Sequence, residues 1–303
     1  MNGELDAAAL RTLMDGAAAP LLLHVLPEEH YAASHLPGAK NACIYETAFL
    51  DRVRGLVPDL NEKIVVYGEG DPFLDSREAA ARLRSAGYRN VADLRGGLRA
   101  WRASGFPVEG SGVLPTAPAL QGRYLADVTT SVVRWTGCNL TNHHSGDLPL
   151  AGGEFHAENG RLVRVELTGD LTRIRCEDLA DAGWNAMLVA HLKTADFFDV
   201  DNHPHAHFIS SRVEPIANAG IGRVNVRIAG SLRLRGVVEP VEFDATLASL
   251  DNDHLTLQAM VALDRTRWGS LYGSSRFFAF LGKHVVNDVF NLHLKVHAAR
   301  SLE

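Results

Sequence analysis

Long stretches in the second half of the chain alternate between apolar and polar residues. In residues 224–234 the even positions carry Val, Ile, Leu or Gly, and most odd positions carry polar residues. The same alternation recurs in residues 255–263 and 290–296. Successive side chains of a strand point to opposite faces, so each stretch predicts a strand with one buried face and one wet face. Several such strands in succession predict an antiparallel sheet closed into a barrel, because closure removes exposed edges.

The segment HLKTADFFDVDNHPHAHF, residues 191–208, connects a predicted helix to the first of the long strands. Asn202 and Pro204 are turn residues that stop either element from continuing. We therefore expect one helix over residues 178–192, a turn, and a strand from His205 onward.

The first part of the chain alternates short apolar strands with helices, which is typical of a parallel α/β sheet covered on both faces. Ser76 is the expected N-cap of one of these helices. A chain of 303 residues favours two domains. We place them at residues 1–110 and 122–300, joined by a Gly- and Pro-rich linker at 111–121.

Composition excludes several classes of function. The net charge of −6, without a Lys/Arg-rich run, argues against a nucleic-acid partner. No stretch reaches the length of a membrane span, and the acidic N-terminus is unlike a secretion signal. Cys43, Cys138 and Cys176 are widely spaced and lack a CxxC, which argues against disulfides and thiolate zinc sites. We expect a cytoplasmic protein with Cys43 as a small buried thiol.

Four segments of the first domain occur in a familiar order: HLPGAKNA (35–42), VVYG (65–68), AGYRNVADLRGGLRAW (86–101) and GFPVEG (105–110). Together they resemble the rhodanese-like family. That family places a cysteine directly after a buried central strand, where backbone N–H groups and a helix N-terminus lower the pKa of the thiol.

This sequence departs from the family at the reactive position, where it has Gly68. Glycine has no nucleophile, so we expect no persulfide chemistry. The family's usual Asp-Val-Arg is replaced by His24, Val25 and Leu26. The altered loop is acidic, whereas a loop that cradles anions favours a positive environment; it comprises Gly68, Glu69, Gly70, Asp71, Asp75 and Ser76. We therefore predict a non-catalytic domain that acts in docking or regulation, with an unknown protein partner.

The second domain contains VVRWTG (132–137), the 191–208 segment, GSLRLRGVVEPVEF (230–243), LDRTRWG and GSSRFFAFLGKHVVNDVFNLHL. These segments resemble the YceI-like family. The resemblance implies a lipocalin-like antiparallel barrel with one inserted helix, around an apolar tunnel that binds an isoprenoid or another long amphiphile. It also implies homodimers. We expect no cofactor other than a bound isoprenoid lipid or quinone.

The candidate ligand-binding residues are mostly aromatic, and strand number alone does not decide whether the barrel is hollow or filled. Gly230 and Ala259 on the inward face would leave space for a chain, or would relieve crowding at bends. Phe277 and Phe278 follow a flexible stretch, so they are predicted to form a mobile lid. The full set is Trp135, Phe155, His144, His191, Phe197, Phe198, Phe208, Trp268, Phe277 and Phe278.

The histidines allow more than one interpretation. His203, His205 and His207 alternate, a geometry that suits metal ligation, yet Pro204 places His203 in a turn. We predict no metal site there. His144 and His191 would donate to a ligand head group or would fix the helix to the barrel. A structural ion pair is expected between Arg265 and Asp264 or Asp288.

The sequence therefore predicts a non-enzymatic two-domain protein with a rhodanese-like α/β sheet followed by a lipid-binding barrel. Three alternatives remain open. They are a sulfurtransferase-related enzyme, a metal-dependent enzyme that uses the histidines, and a structural interaction protein with a filled barrel.

Overall fold

The structure is a computed structural model that describes residues 3–16, 18–114, 119–217, 219, 222–249 and 251–301. It divides into two compact units, residues 1–116 and 117–303. Four residues of the predicted linker, 115–118, lie outside the described residues. Among the helices of the described residues, none is long and apolar enough to cross a membrane.

The first unit is a parallel α/β sheet, as the sequence predicts. Within the described residues, five parallel strands pair in the order β1-β5-β4-β2-β3. The elements in chain order are β1 (Gly3–Leu5), α1 (Ala7–Met14), β2 (Leu21–His24), α2 (Glu28–Ala33), β3 (Lys40–Asn41), α3 (Phe49–Leu56), β4 (Lys63–Tyr67), α4 (Asp75–Ser85), β5 (Asn90–Leu94) and α5 (Gly97–Ala103).

Helices cover both faces of this sheet, because its strands carry apolar residues on both faces. In β4, Ile64 and Val66 pack in one core cluster with α3 and α4. Val65 and Tyr67 pack in a second cluster with α1 and α5. Burial on both faces explains why these strands appear in the sequence as continuous apolar runs.

One local prediction in this unit is wrong. Ser76 is not the N-cap of α4, because the helix begins one residue earlier, at Asp75. The cap residue is Leu74, which makes no side-chain capping bond. Ser76 is buried inside the first turn and donates instead to the buried Asp93. Ser76 is the second residue of the helix, so its hydroxyl makes a tertiary contact and does not cap the helix end.

The second unit is a closed antiparallel barrel with one helix. Its elements are β6 (Gly122–Ala126), β7 (Val132–Asn139), β8 (His143–Asp147), β9 (Leu150–Glu158), β10 (Arg161–Asp170), α6 (Ala182–Lys193), β11 (His205–Pro215), β12 (Val226–Leu234), β13 (Val237–Ala248), β14 (His254–Asp264) and β15 (Val286–Arg300).

Pairing between β14 and β15 closes the sheet. Strands β6 and β7 follow one another along the same position of the ring, because both pair with β15. Strands β8 and β9 share the next position in the same way, because β9 pairs with β6 and β8 pairs with β7. The described strands thus form an eight-stranded ring, and the fold class predicted from the alternation is confirmed.

The barrel core is built from the inward residues of these strands. Tyr124, Phe155, Ile228, Leu257 and Val296 belong to one buried cluster, and each is fully shielded from solvent. A smaller cluster joins Trp135 on β7 to Leu192 on α6. The helix therefore packs on one end of the barrel, and the turn after it leads into β11 as the sequence predicts.

Candidate functional site

An apolar cavity of about 320 Å³ lies at the end of the barrel beside α6. Aliphatic and aromatic side chains form most of its wall, and a few polar groups are interspersed among them. This combination is typical of small-molecule sites. The lining residues are Trp135, Gly137, Cys138, Asn139, His144, Leu148, Leu171, Ile174, Leu188, His191, Leu192, Phe197, Phe198, Leu232, Leu234, Leu263, Arg265, Ser270, Tyr272, Val286, Asn287, Phe290 and Leu292.

A second, smaller void of about 80 Å³ lies deeper in the barrel. Its wall is apolar and shares four leucines with the outer cavity, namely Leu148, Leu232, Leu263 and Leu292. The two spaces are therefore neighbours, with these four leucines between them.

Burial along β15 shows where the barrel stops being filled. The inward residue Val296 is 0% exposed and Leu294 is 8% exposed, and both belong to the core cluster. Leu292 and Phe290 point to the same face but are only partly buried, and both line the cavity. The inward residues of β15 therefore pack in the core at one end of the strand and line the cavity at the other.

A wider depression of about 700 Å³ lies on the outer face of β13 and β14. Arg227 and Asp244 occupy it and bond to one another through two contacts, of 2.7 and 3.0 Å. Its charged groups already satisfy each other, so the apolar cavity is the better candidate for a functional site.

Two imidazole–carboxylate pairs border the cavity. Nδ1 of His144 lies 2.9 Å from Oδ2 of Asp178, and Nε2 of His191 lies 3.0 Å from Oδ2 of Asp196. Burial opposes ionisation of Asp178, but bonds from the Ser145 N–H, His144 and the Cys176 thiol outweigh it and hold its pKa at about 2. Asp178 is therefore a carboxylate at any ordinary pH.

Arg265 forms part of the cavity wall and is 4% exposed. Its guanidinium donates to the carbonyls of Asn287 (3.0 Å), Ser270 (2.6 Å) and Val286 (2.9 Å). Asp288 lies 3.7 Å away, whereas Asp264 pairs with Arg276 at 2.8 Å. The predicted structural ion pair is therefore with Asp288, and the guanidinium connects residues 265–270 to the start of β15 at the cavity edge.

The structure brings together five of the ten predicted ligand-binding residues. Trp135, His144, His191, Phe197 and Phe198 line the outer cavity. They come from β7, β8, α6 and the turn that follows α6, and Trp135 donates through Nε1 to the Arg175 carbonyl at 2.9 Å. The segment at 191–208 thus contributes both the helix end and the aromatic wall of the site.

The other five lie elsewhere. Phe208 borders the deeper void. Phe155 and Trp268 are fully buried, and Trp268 donates to the Leu232 carbonyl at 3.0 Å. Phe277 and Phe278 are about half exposed and are not among the lining residues.

Sequence reasoning missed several residues of the wall, including Leu188, Tyr272 and Phe290. Leu188 lies three residues before His191, so the two share one helix face, and that spacing was a usable signal. Tyr272 stands in a stretch with no periodic pattern, so nothing in the sequence indicated it. Its ring contacts His191 at 4.7 Å between centroids.

Of the two interpretations of Gly230, the structure supports relief of crowding at a bend and not space for a chain. A Cβ at Gly230 would lie 2.3 Å from the Ile209 carbonyl oxygen and 2.7 Å from the Phe208 ring. The register of β11 against β12 shifts just beyond, between Ser210 and Arg212. Glycine is needed here because a bulged strand and an aromatic ring approach its backbone closely.

Two of the alternating histidines have different carboxylate partners in the structure. His207 Nε2 lies 3.0 Å from Glu166, and His203 Nε2 lies 3.9 Å from Asp199. Among the described residues, no group of three or more His, Cys, Asp or Glu side chains is arranged to hold a metal ion.

The loop after β4 in the first unit places Asp75 against Gly68. A Cβ at Gly68 would lie 3.2 Å from Oδ2 of Asp75, and the Tyr45 hydroxyl donates to that carboxylate. Burial first, and then this bond, raise the pKa of Tyr45 to about 12. Gly97, at a φ of +55°, allows the loop to approach closely, since a Cβ there would lie 2.5 Å from the Gly68 carbonyl oxygen.

Comparison with known families assigns both units. The model of the YceI-like domain matches residues 124–298, which is more than half of the chain. The chain belongs to the YceI-like family. The model of the rhodanese-like domain matches residues 6–104. Both resemblances, and their order along the chain, are confirmed.

Individual relatives of this YceI-like protein match only parts of it. The HTH-type transcriptional regulator Rv0324 of Mycobacterium tuberculosis is 40% identical over 88 residues, which are 29% of this chain and 37% of the relative. The chain spans 37%, 27% and 32% of the lengths of three curated relatives.

Two solved structures show similarity to parts of this YceI-like chain. The polyisoprenoid binding domain from Saccharophagus degradans is 14% identical, with a TM-score of 0.45, and the match covers 59% of this chain and 98% of that one. The Alr3790 protein from Anabaena sp. is 34% identical, with a TM-score of 0.32, and the match covers 35% of this chain and 81% of that one.

Proposed function

We propose that the barrel binds and sequesters the apolar chain of an isoprenoid or another long amphiphile. The observation that carries this proposal is the apolar cavity beside α6, with a second apolar void next to it deeper in the barrel. Each methylene removed from water contributes about 0.8 kcal/mol, so a chain that fills both spaces is held mainly by its length. Polar groups at the cavity edge then orient the head group.

The rhodanese-like domain serves in this proposal as a non-catalytic docking or regulatory module. Gly68 offers no nucleophile after β4, and the Asp75 carboxylate lies beside it. A fixed negative charge at this point disfavours both a thiolate and an anionic sulfur donor. We also propose that the protein is cytoplasmic and forms a homodimer. A protein partner of the rhodanese-like domain can be identified by affinity capture with the full chain.

Phe277 and Phe278 act as a lid in the same proposal. They lie five and six residues beyond Tyr272, which lines the cavity, and their rings are about half exposed. Movement of this segment would bring aromatic surface over a bound chain at the cavity edge.

Native mass spectrometry of the purified protein, with organic extraction of whatever is released, tests the binding proposal. A discrete added mass that matches a lipid or a quinone is the expected result. A mass equal to that of the chain alone, with no uptake of added isoprenoids, would contradict the proposal and favour a filled barrel.

A matched pair of variants locates the binding. Leu188→Arg places a charge in the cavity wall on the solvent-accessible helix, where it does not disturb the ring of strands. Met260→Arg places the same charge on the outer face of β14, where the side chain is 79% exposed. We expect the first variant to lose the added mass and the second to keep it.

A further inference from the structure

Residues 275–284, just before β15, form an exposed segment that is rich in phenylalanine. Every residue of this segment is exposed except Leu281, which is half-buried. Phe277 and Phe278 are about half exposed, and Phe280 is fully exposed. Single apolar side chains at a surface are ordinary, but a cluster of large rings marks an interaction site. The barrel therefore presents an apolar surface that the described residues do not cover.

Helix α6 also exposes apolar side chains. Residues three or four positions apart share one helix face, and on α6 such a face carries Trp184, Met187, Leu188 and His191. Leu188 and His191 line the cavity, whereas Trp184 and Met187 are 62% and 54% exposed. The His191 ring contacts the Tyr272 ring at 4.7 Å between centroids. The helix therefore meets the loop that precedes the phenylalanines at the cavity edge.

The phenylalanines lie in a basic part of an acidic chain. Residues 265–287 contain four Arg and Lys residues and no Asp or Glu, whereas the net charge of the whole chain is −6. Arg276 and Lys283 flank the three rings, and the Arg276 guanidinium lies 5.6 Å from the centre of the Phe277 ring. Arg276 pairs with Asp264 at 2.8 Å, but the exposed Lys283 has no ion-pair partner among the residues that the structure describes. Its ammonium is therefore available to an anion outside the chain.

Exposed rings flanked by cations are suited to the boundary of a lipid bilayer. Phenylalanine and tryptophan bury their rings where the head groups meet the acyl chains, and neighbouring cations are attracted to anionic lipid. Both contributions are present here on one segment, and that segment contains no acidic residue to repel a negative surface.

We propose that this docking surface, residues 275–284 with Trp184 and Met187, binds the barrel to a bilayer that contains anionic lipid. The phenylalanine rings enter the head-group boundary, and Lys283 contacts lipid phosphate. The cavity edge then lies at the bilayer, because Tyr272 and Leu188 line the cavity from the same loop and helix. This inference goes beyond the proposed sequestration and does not depend on what the cavity holds.

Co-sedimentation of the full chain with vesicles tests the proposal. One set of vesicles is phosphatidylcholine, and the other is an equal mixture of phosphatidylcholine and phosphatidylglycerol. One cation near an anionic surface changes affinity by about fivefold. We expect binding to the mixed vesicles that is at least about fivefold tighter than binding to phosphatidylcholine, and we expect the difference to shrink in high salt.

A variant of the most exposed ring locates the contact. Phe280→Ser removes a ring that is fully exposed, so the fold is retained, and binding to the mixed vesicles should weaken by about tenfold. Phe73→Ser is the matched control, because Phe73 is also an exposed phenylalanine but lies in the acidic loop of the first domain, between Asp71 and Asp75. It should keep the native affinity.

A second pair of variants tests the charge. Lys283→Gln should weaken binding to the mixed vesicles by about fivefold and leave binding to phosphatidylcholine unchanged. Lys295→Gln removes the same charge from an exposed position on β15, outside the docking surface, and should have no effect.

Three results would overturn the inference. The first is no binding of the native chain to the mixed vesicles, or equal binding to both kinds of vesicle at every salt concentration. The second is native affinity in Phe280→Ser, which would place the contact elsewhere. The third is a dimer that becomes a monomer in Phe280→Ser by sedimentation equilibrium, which would assign this surface to a second copy of the chain. The vesicles contain no isoprenoid, so none of these results decides whether the barrel sequesters a lipid.

Discussion

Asp75 lies against Gly68, with Oδ2 3.2 Å from the position that a Cβ at Gly68 would occupy. Asp75 is the first residue of α4, so its carboxylate stands where the helix N-terminus would otherwise face a reactive thiol. Two differences from the rhodanese pattern, the missing nucleophile and the added negative charge, therefore meet at one point.

Replacing glycine alone should not restore sulfur transfer. In Gly68→Cys the introduced thiol lies beside a carboxylate, which raises its pKa above the ordinary value of about 8.5. We expect no thiosulfate:cyanide turnover, and we expect Gly68→Cys/Asp75→Ser to have the lower thiol pKa. Alkylation rates against pH, in a Cys138→Ser background, measure both values. Turnover by the single variant would contradict this account of the loop.

The buried His24 should make the first domain less stable in mild acid. Burial, and then the charges of His35 and His30, lower its pKa from 6.5 to about 4. Its side chain is fully buried, and Nε2 has no partner. The unfolded chain takes up the proton first, so stability is complete above pH 6.5 and declines as the pH falls toward 4.

This effect amounts to about 2 kcal/mol between pH 7 and pH 5. Hydrogen exchange of the β4 amides, corrected for intrinsic rates, gives the free energy of opening at each pH. In His24→Leu, the change in the free energy of opening between pH 7 and pH 5 should be smaller by that amount. His30→Gln, at an exposed site, should keep most of the change. If the free energy of opening depends on pH in His24→Leu as it does in the native chain, other groups cause the loss of stability in acid.

The alternation of residues predicts the strands because closing a sheet requires one apolar face on each of them. It does not predict the cavity. Leu292 and Leu294 are the same residue type on the same face of β15, yet only Leu292 borders the outer cavity, whereas Leu294 is buried beside the deeper void. The difference arises from where α6 packs, and that position depends on contacts such as Asn185 with the Cys176 and Leu179 carbonyls.

The polar part of the site is equally non-local. His144 and Asp178 are 34 residues apart, and no spacing rule connects them. The sequence leaves the role of Gly230 open for the same reason, since the Phe208 ring and the bulge that fill its surroundings belong to the neighbouring strand. Periodicity describes one helix or strand at a time, whereas the His144–Asp178 pair and the surroundings of Gly230 each depend on two parts of the chain.

Arg265 should be essential for the stability of the barrel. Arg265→Met leaves the Asn287, Ser270 and Val286 carbonyls without their donor and Asp288 without its counter-charge. Loss of one partner of a buried ion pair costs about 3–5 kcal/mol.

The control for Arg265 is Arg276→Met, because Arg276 pairs with Asp264 while 58% exposed. An exposed pair of that kind contributes about 0–1 kcal/mol. Urea unfolding followed by tryptophan fluorescence measures both variants. Similar free energies of unfolding for the two would show that the guanidinium does not connect the segments around the cavity.

Phe277 and Phe278 provide the test of the lid. Both rings are about half exposed and lie outside the lining residues, so the double change Phe277→Ala/Phe278→Ala removes little of the barrel core. We expect an unfolding midpoint close to that of the native chain and faster release of bound geranylgeraniol, because the shielding of the cavity edge is lost. Release can be timed by transfer to vesicles in excess.

The control is Val237→Ala/Val238→Ala, which removes exposed apolar surface from β13 outside the cavity lining. If the two double variants release the ligand at the same rate as the native chain, the segment is not a lid, and retention depends on the walls of the cavity alone.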